Sequence, residues 1–167
     1  DAPVDLELGH RRARAAALLV LGLPGAAYLY MGEELGLPEV LDIPDGARQD
    51  PIFARTEGRE KGRDGCRVPM PWTSDSANLN GFSSSSSAKA WMPQPEAWGS
   101  FSVEGQDDDC NSMLALYRQA LSYRVDMVKQ GEEIHFIGDG TDGLFSFTRG
   151  SYAVVVNTSE DAVEIPQ

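Results

Sequence analysis

The sequence predicts an α/β fold: the last strand, a long loop and the last helix of a (β/α)8 TIM barrel, followed by a truncated antiparallel β domain. Three observations carry this expectation. An apolar helical segment runs directly into a short buried-strand pattern; a long stretch without periodicity follows; and an amphipathic helix then gives way to short alternating strands.

From Leu6 to Leu21 the composition is helical, with Arg11, Arg12 and Arg14 early and then AAALLVL, apolar on every side and therefore expected to be deeply packed. Gly22, Pro24 and Gly25 stop it, because proline cannot continue a helix and glycine permits reversal of the backbone. Ala26–Met31 (AAYLYM) is a continuous apolar run and reads as a strand buried on both faces. After Gly32, and as far as about Asp107, no segment shows helical or strand periodicity, and this stretch holds most of the prolines, all three tryptophans and the serine run Ser83–Ser87. A loop this long inside a domain is expected to be functional. It leaves the C-terminal end of a buried strand, where barrel enzymes place their substrate loops. The serine run reads as a flexible, solvated segment of it.

Asp107, Asp108 and Asp109 offer acids and an N-cap to the next helix. Leu114, Tyr117, Leu121, Val125 and Val128 then recur at spacings of three and four, one apolar stripe down a helix ending near Lys129. Beyond Gly131 the period shortens to that of strands in EEIHFIG, GLFSFTRG, YAVVVNT and AVEI, separated by turn-rich links. Residues 1–129 are accordingly assigned to the C-terminal part of a barrel and 130–167 to the start of an antiparallel β domain. Both ends of the chain read as cuts.

The composition excludes several classes. Acids outnumber bases 26 to 14 for a net charge of -12, which argues against a nucleic-acid partner and is compatible with neutral substrates. The apolar stretch Ala15–Met31 is divided by Pro24 and Gly25 and is shorter than the roughly 20 residues a membrane span needs. No signal-peptide pattern opens the chain. Cys66 and Cys110 fit neither a disulfide framework nor a metal-ligand spacing, so a cytoplasmic protein with reduced thiols and no metal or cofactor is expected.

Two motifs carry a family resemblance. LPGAAYLYMGEELGLPEV (Leu23–Val40) resembles the last barrel strand of the α-amylase superfamily, glycoside hydrolase family 13, matching at Gly25, Tyr30, Gly32 and Glu34, with Ala27 in place of the usual proline and Met31 in place of a frequent glutamine. GRDGCRVPMPW (Gly62–Trp72) resembles the corresponding segment of the α-glucosidase and oligo-1,6-glucosidase branch, and RQDPIFART (Arg48–Thr56) and WMPQPEAWGSFSVEGQ (Trp91–Gln106) resemble the same branch.

The resemblance implies a retaining glycosidase acting on a small oligosaccharide of the maltose or isomaltose type, with two reacting carboxyls about 5 to 5.5 Å apart and a further aspartate gripping the sugar. It places all three on earlier barrel strands, so no catalytic residue is assigned to this chain, which alone should be inactive. Adjacent Glu33 and Glu34 point in divergent directions and are not assigned as the pair. The resemblance puts Arg63 at the substrate, where a guanidinium can meet both a carboxylate and vicinal hydroxyls, against the plain alternative of a surface ion pair. Gly32, Glu34 and Arg67 are expected to shape and brace the backbone. Trp72, like Trp91 and Trp98, is expected to pack, with sugar stacking as its alternative. His10 and His135 have no partner implied by the sequence, and Cys66 has no nearby base to activate it. Trehalose synthases and sucrose isomerases share the segment, and transporter-associated heavy chains keep the barrel without its carboxylates; both remain open, whereas the broken barrel argues against a stand-alone carbohydrate-binding module, because a single buried strand without neighbours leaves backbone groups unpaired.

Overall fold

The computed structural model describes residues 4–138, 140 and 143–165. They pack as two units, one joining the N-terminal segment up to Leu29 with the chain from Leu116 onward, the other formed by Tyr30–Ala115.

In the first unit, helix α1 (Leu6–Gly22) starts at Asp5, whose Oδ1 accepts the Leu8 amide at 2.9 Å. It ends at Leu23, in extended conformation with ψ 150°, because the ring of Pro24 disfavours helical geometry in the residue before it. The expected deep packing is not found. Ala17, Leu21 and Gly22 are buried, but Leu18 and Val20 are 45% and 46% exposed, since among the described residues the helix is covered on one face only. Gly22 leaves room for Val154, whose Cγ2 would lie 2.7 Å from a Cβ added there and would have to shift.

Ala26–Met31 is a second correction: it forms no strand among the described residues, and Tyr28 is 89% exposed. A strand exists by its ladder, and no neighbouring strand here offers its N–H and C=O groups to this segment.

Helix α5 (Met113–Gln130) follows the predicted stripe. Its N-cap is Ser112, whose Oγ accepts the Ala115 amide at 3.0 Å, and not the Asp107–Asp109 run. Asp107 instead ends the short helix Val103–Asp107, Asp108 follows it as the C-cap, and Asp109 Oδ1 accepts the Asn111 amide at 2.9 Å in the turn beyond. Strands β1 (Ile134–Phe136), β2 (Leu144–Arg149) and β3 (Tyr152–Asn157) form an antiparallel sheet in that order, with Phe136 opposite Phe147 and Phe147 opposite Val154. Phe147, Val154 and Met127 make the core of the unit, with Leu19 and Leu23 packed against it. Tyr152 Oη donates to Asp126 Oδ2 at 2.7 Å, tying β3 to α5. The expected fourth strand at Ala162–Ile165 does not form. After β3, Asn157 closes a local turn, accepting the Ser159 amide at 2.9 Å and donating to Asp161 O at 2.7 Å, which leads the chain off the sheet edge.

Two arginines hold the end of α1. Arg124 donates through Nη1 to Leu21 O and Leu23 O at 2.6 and 2.7 Å and through Nη2 to Gly25 O. Arg149, 1% exposed, donates through Nη1 to Leu23 O at 3.0 Å and through Nε to Gly131 O at 3.0 Å. The last turn of α1 has no basic residue of its own, and these guanidiniums answer both its free carbonyls and its negative dipole end.

The second unit contains only short helical pieces: 3₁₀ turns at Glu33–Leu35, Asp45–Ala47, Asp64–Cys66 and Glu96–Phe101, helices α2 (Pro51–Arg55) and α4 (Val103–Asp107), and the kinked turn α3 (Ala77–Asn80). It nevertheless buries two apolar clusters, Val40, Ile43, Val68, Met92 and Trp98 in one and Leu35, Met70 and Leu114 in the other. Gln106 is a polar hub of the unit, donating through Nε2 to Leu35 O and Phe101 O, both at 2.9 Å, and accepting the Leu114 amide at 3.1 Å. Such satisfied side-chain bonds replace the ladder that loop backbone lacks. Of the serine run, Ser84–Ser87 are exposed, and Ser85 and Ser87 hydroxyls bond each other at 3.0 Å.

Candidate functional site

The site grows out of the segment Gly62–Trp72. Asp64 is its interior, with 0% exposure. Its Oδ2 accepts the amides of Gln49 and Asp50 at 2.8 and 2.9 Å, and Arg67 Nη1 lies 3.8 Å from Oδ1. Asp50 in turn caps α2 through Oδ1, accepting the Ile52 amide at 3.1 Å, with Pro51 at the first helical position. Its other oxygen accepts the Arg63 amide at 3.0 Å and Arg67 Nη1 at 3.1 Å. The Arg63 N–H, then the Ile52 N–H, and then the Arg67 charge hold the Asp50 carboxyl below the usual carboxylate range.

The glycines allow these segments to close on one another. Gly62 has φ 69°, and a Cβ on it would lie 2.5 Å from Asp50 Cγ. At Gly65 a Cβ would lie 2.5 Å from the carbonyl oxygen of Val40, whose amide donates to Gly65 O at 3.1 Å. Pro69 and Pro71 are fully buried, and Trp91 Nε1 donates to Arg67 O at 3.1 Å.

Against this frame opens a cavity of about 420 Å³, lined by Tyr30, Met31, Gly32, Glu33 and Leu37 and by Arg63, Cys66, Arg67, Val68 and Trp98. Gly32 has φ 94°, and Glu34 Oε2 folds back to accept its amide at 2.8 Å. Glu34 therefore holds backbone, and only Glu33 of the two adjacent acids lines the cavity.

Arg63 is exposed at the cavity. Its backbone is held at both ends, the amide by Asp50 and the carbonyl by Cys66, whose amide and thiol donate at 3.3 and 3.1 Å. Its guanidinium has no hydrogen bond or ion pair among the described residues. Arg67 also lines the cavity, although its Nη1 is engaged by Asp50.

Trp72 lies outside the lining residues and is 48% exposed, its amide donating to Asn80 O at 2.7 Å. Trp98 is buried at 3% exposure. Trp91 is 49% exposed and meets Phe82 edge-on at 5.5 Å between ring centres. His10 is exposed, and exposed His135 lies 3.7 Å from Glu133, a surface pairing that the sequence did not suggest. Among the described residues no cluster of three or more His, Cys, Asp or Glu side chains could hold a metal, and no helix is long and apolar enough to cross a membrane.

Asp50 and Asp64 are the site residues that sequence reasoning missed. Asp-Pro at a helix start was a readable cap signal for Asp50. Nothing local in the sequence marks Asp64 as the acceptor for amides fourteen and fifteen residues earlier. Chemically, the cavity offers an apolar wall, one acid and an uncommitted guanidinium, which suits binding a polyhydroxylated or anionic group.

Comparison with known proteins identifies the family. Residues 4–133 match the family model for the alpha-amylase catalytic domain. A probable alpha-glucosidase of Rhizobium meliloti is 40% identical over 67% of the chain, and the oligo-1,6-glucosidase IMA5 of Saccharomyces cerevisiae is 27% identical over 82% of it. The chain spans 19% and 27% of the length of these two relatives. Among solved structures, the alpha-glucosyl transfer enzyme XgtA superposes with a TM-score of 0.69 at 35% identity, over 86% of this chain and 26% of that one. The buried Asp64, the close glycines and the cavity beside Arg63 thus lie within the matched segment, and the chain belongs to the alpha-amylase catalytic-domain family.

Proposed function

We propose that this chain is part of a retaining α-glucosidase that hydrolyses short α-linked glucosides, and that its own share of the work is to bind. The reacting carboxylates lie outside it. Residues 1–129 belong to the C-terminal part of a (β/α)8 barrel and 130–167 to the start of a β domain, a division supported by the end of the family match at residue 133. The apolar, exposed Tyr28, Leu29, Tyr30 and Met31 suit a surface that another part of the complete protein covers. Two free cysteines are compatible with the cytoplasm, and the acidic balance is compatible with a neutral sugar partner.

The observation that carries the reading is Arg63: a backbone fixed on both sides and a guanidinium left uncommitted beside the cavity. Such a group can meet sugar hydroxyls and a carboxylate together. Glu34, Arg67, Gly32 and Trp72 shape or support the wall, Gly32 and Arg67 from its lining and Glu34 and Trp72 from outside it. In the complete protein, Arg63→Ala should raise KM for a maltose-type glucoside about tenfold or more, the loss of one or more charge-assisted hydrogen bonds; wild-type KM and kcat would remove Arg63 from the site. The isolated chain should not cleave a chromogenic α-glucoside, and measurable hydrolysis would overturn the placement of the carboxylates. Product analysis separates transfer to water from transfer to a second sugar.

A further inference from the structure

We infer that Asp50 is a positioning residue for substrate binding, acting through Arg63, and this rests on the reading of Arg63 given above. Asp50 is not among the residues that line the cavity. One of its oxygens nevertheless receives both the Arg63 amide, at 3.0 Å, and Arg67 Nη1, at 3.1 Å, and so joins the two arginines of the cavity wall through a single atom. Its other oxygen is committed to the Ile52 amide at the start of α2. The carboxylate therefore sets Arg63 relative to a helix end, and Asp64 sets Asp50 by accepting its amide at 2.9 Å. The Arg63 side chain has no other support among the described residues, so its location at the cavity depends on where its own backbone is held.

The two oxygens have separate duties, and this gives a selective variant. In Asp50→Asn the amide oxygen can keep the cap on Ile52, but the NH₂ group then faces the Arg63 N–H and Arg67, donor against donor. The helix start survives and the hold on Arg63 is lost. Glu104→Gln is the control: Glu104 anchors a different loop, accepting the Ser74 amide and hydroxyl at 2.8 and 2.7 Å, and touches neither arginine.

The test is steady-state kinetics of the complete enzyme on a short α-glucoside, with mass-mapped labelling of Cys66, whose thiol donates to Arg63 O at 3.1 Å. Asp50→Asn should raise KM about tenfold with kcat little changed. Its effect should vanish in an Arg63→Ala background, and Cys66 should label several-fold faster; Glu104→Gln should change neither. A wild-type KM in Asp50→Asn, or effects that multiply in the double variant, would overturn the inference. Should Arg63→Ala itself leave KM unchanged, the functional reading fails on its own account, and the labelling rate decides the positioning: faster in Asp50→Asn supports it, equal rates overturn it.

Discussion

Asp64 accepts the amide of Gln49 at 2.8 Å from a position with no solvent exposure, fastening together two loop segments that share no secondary structure. A polar side chain so placed is tolerable because two amides and a nearby guanidinium meet it. Asp64→Ala should therefore cost about 3 kcal/mol, leaving the half-buried amides of Gln49 and Asp50 without their acceptor. Urea denaturation at neutral pH measures it, and a loss below about 0.5 kcal/mol would contradict this role.

Gly65→Ala tests the close approach to Val40. The added carbon would lie 2.5 Å from a backbone oxygen that no rotamer change can move, so destabilisation of about 2 kcal/mol or more is expected by the same denaturation measurement. Gly9→Ala, which meets nothing within 4 Å on α1, should instead stabilise slightly.

Asp50 and Glu104 both have carboxyls held below their ordinary values, the first chiefly by the Arg63 amide and the second by the Ser74 hydroxyl. A carboxyl with a depressed folded pKa stabilises above its unfolded value, near pH 4, and loses that contribution as the pH falls through the folded value. The urea midpoint should fall below about pH 4, and Asp50→Asn should reduce the acid-dependent part of the fall. An identical pH dependence in the variant would contradict it.

The opposite sign applies to Tyr152. Its phenol donates to Asp126, and that hydrogen bond, followed by burial and the Asp126 charge, raises its pKa. The contribution is complete below the unfolded value near 10 and is lost as the pH rises through the folded one. Tyr152→Phe should lower stability at neutral pH and show a weaker alkaline decline, followed by near-ultraviolet absorbance and circular dichroism.

Arg63→Ala, by contrast, should leave stability within about 0.5 kcal/mol of wild type, because its guanidinium bonds to nothing among the described residues. A large fall in the urea midpoint would show that the side chain has a structural partner.

How much of this was legible in the sequence depends on the range of the interaction. The stripe Leu114, Tyr117, Leu121, Val125 and Val128 is a property of one segment and predicted α5; the alternation in GLFSFTRG and YAVVVNT predicted β2 and β3. Ala26–Met31 has the composition of a buried strand, but composition supplies no ladder partner, and Tyr28 stands exposed. Three successive aspartates drew the cap assignment away from Ser112, which holds the amide of Ala115. At the site, the motif around Arg63 was recognisable as a string. The hold of Asp50 on Arg63, thirteen residues apart, exists only once the loop has folded.

That loop also separates what can be redesigned from what cannot. Gly62, Asp64 and Gly65 are spent on closing these segments on one another, Gly62 against the Asp50 side chain and Gly65 against the Val40 backbone, so a change at any of them should cost stability. Arg63, Glu33 and Leu37 face the cavity from the same framework. A protein engineer wishing to alter what this pocket accepts should randomise those three positions and leave the acid and glycines beneath them alone.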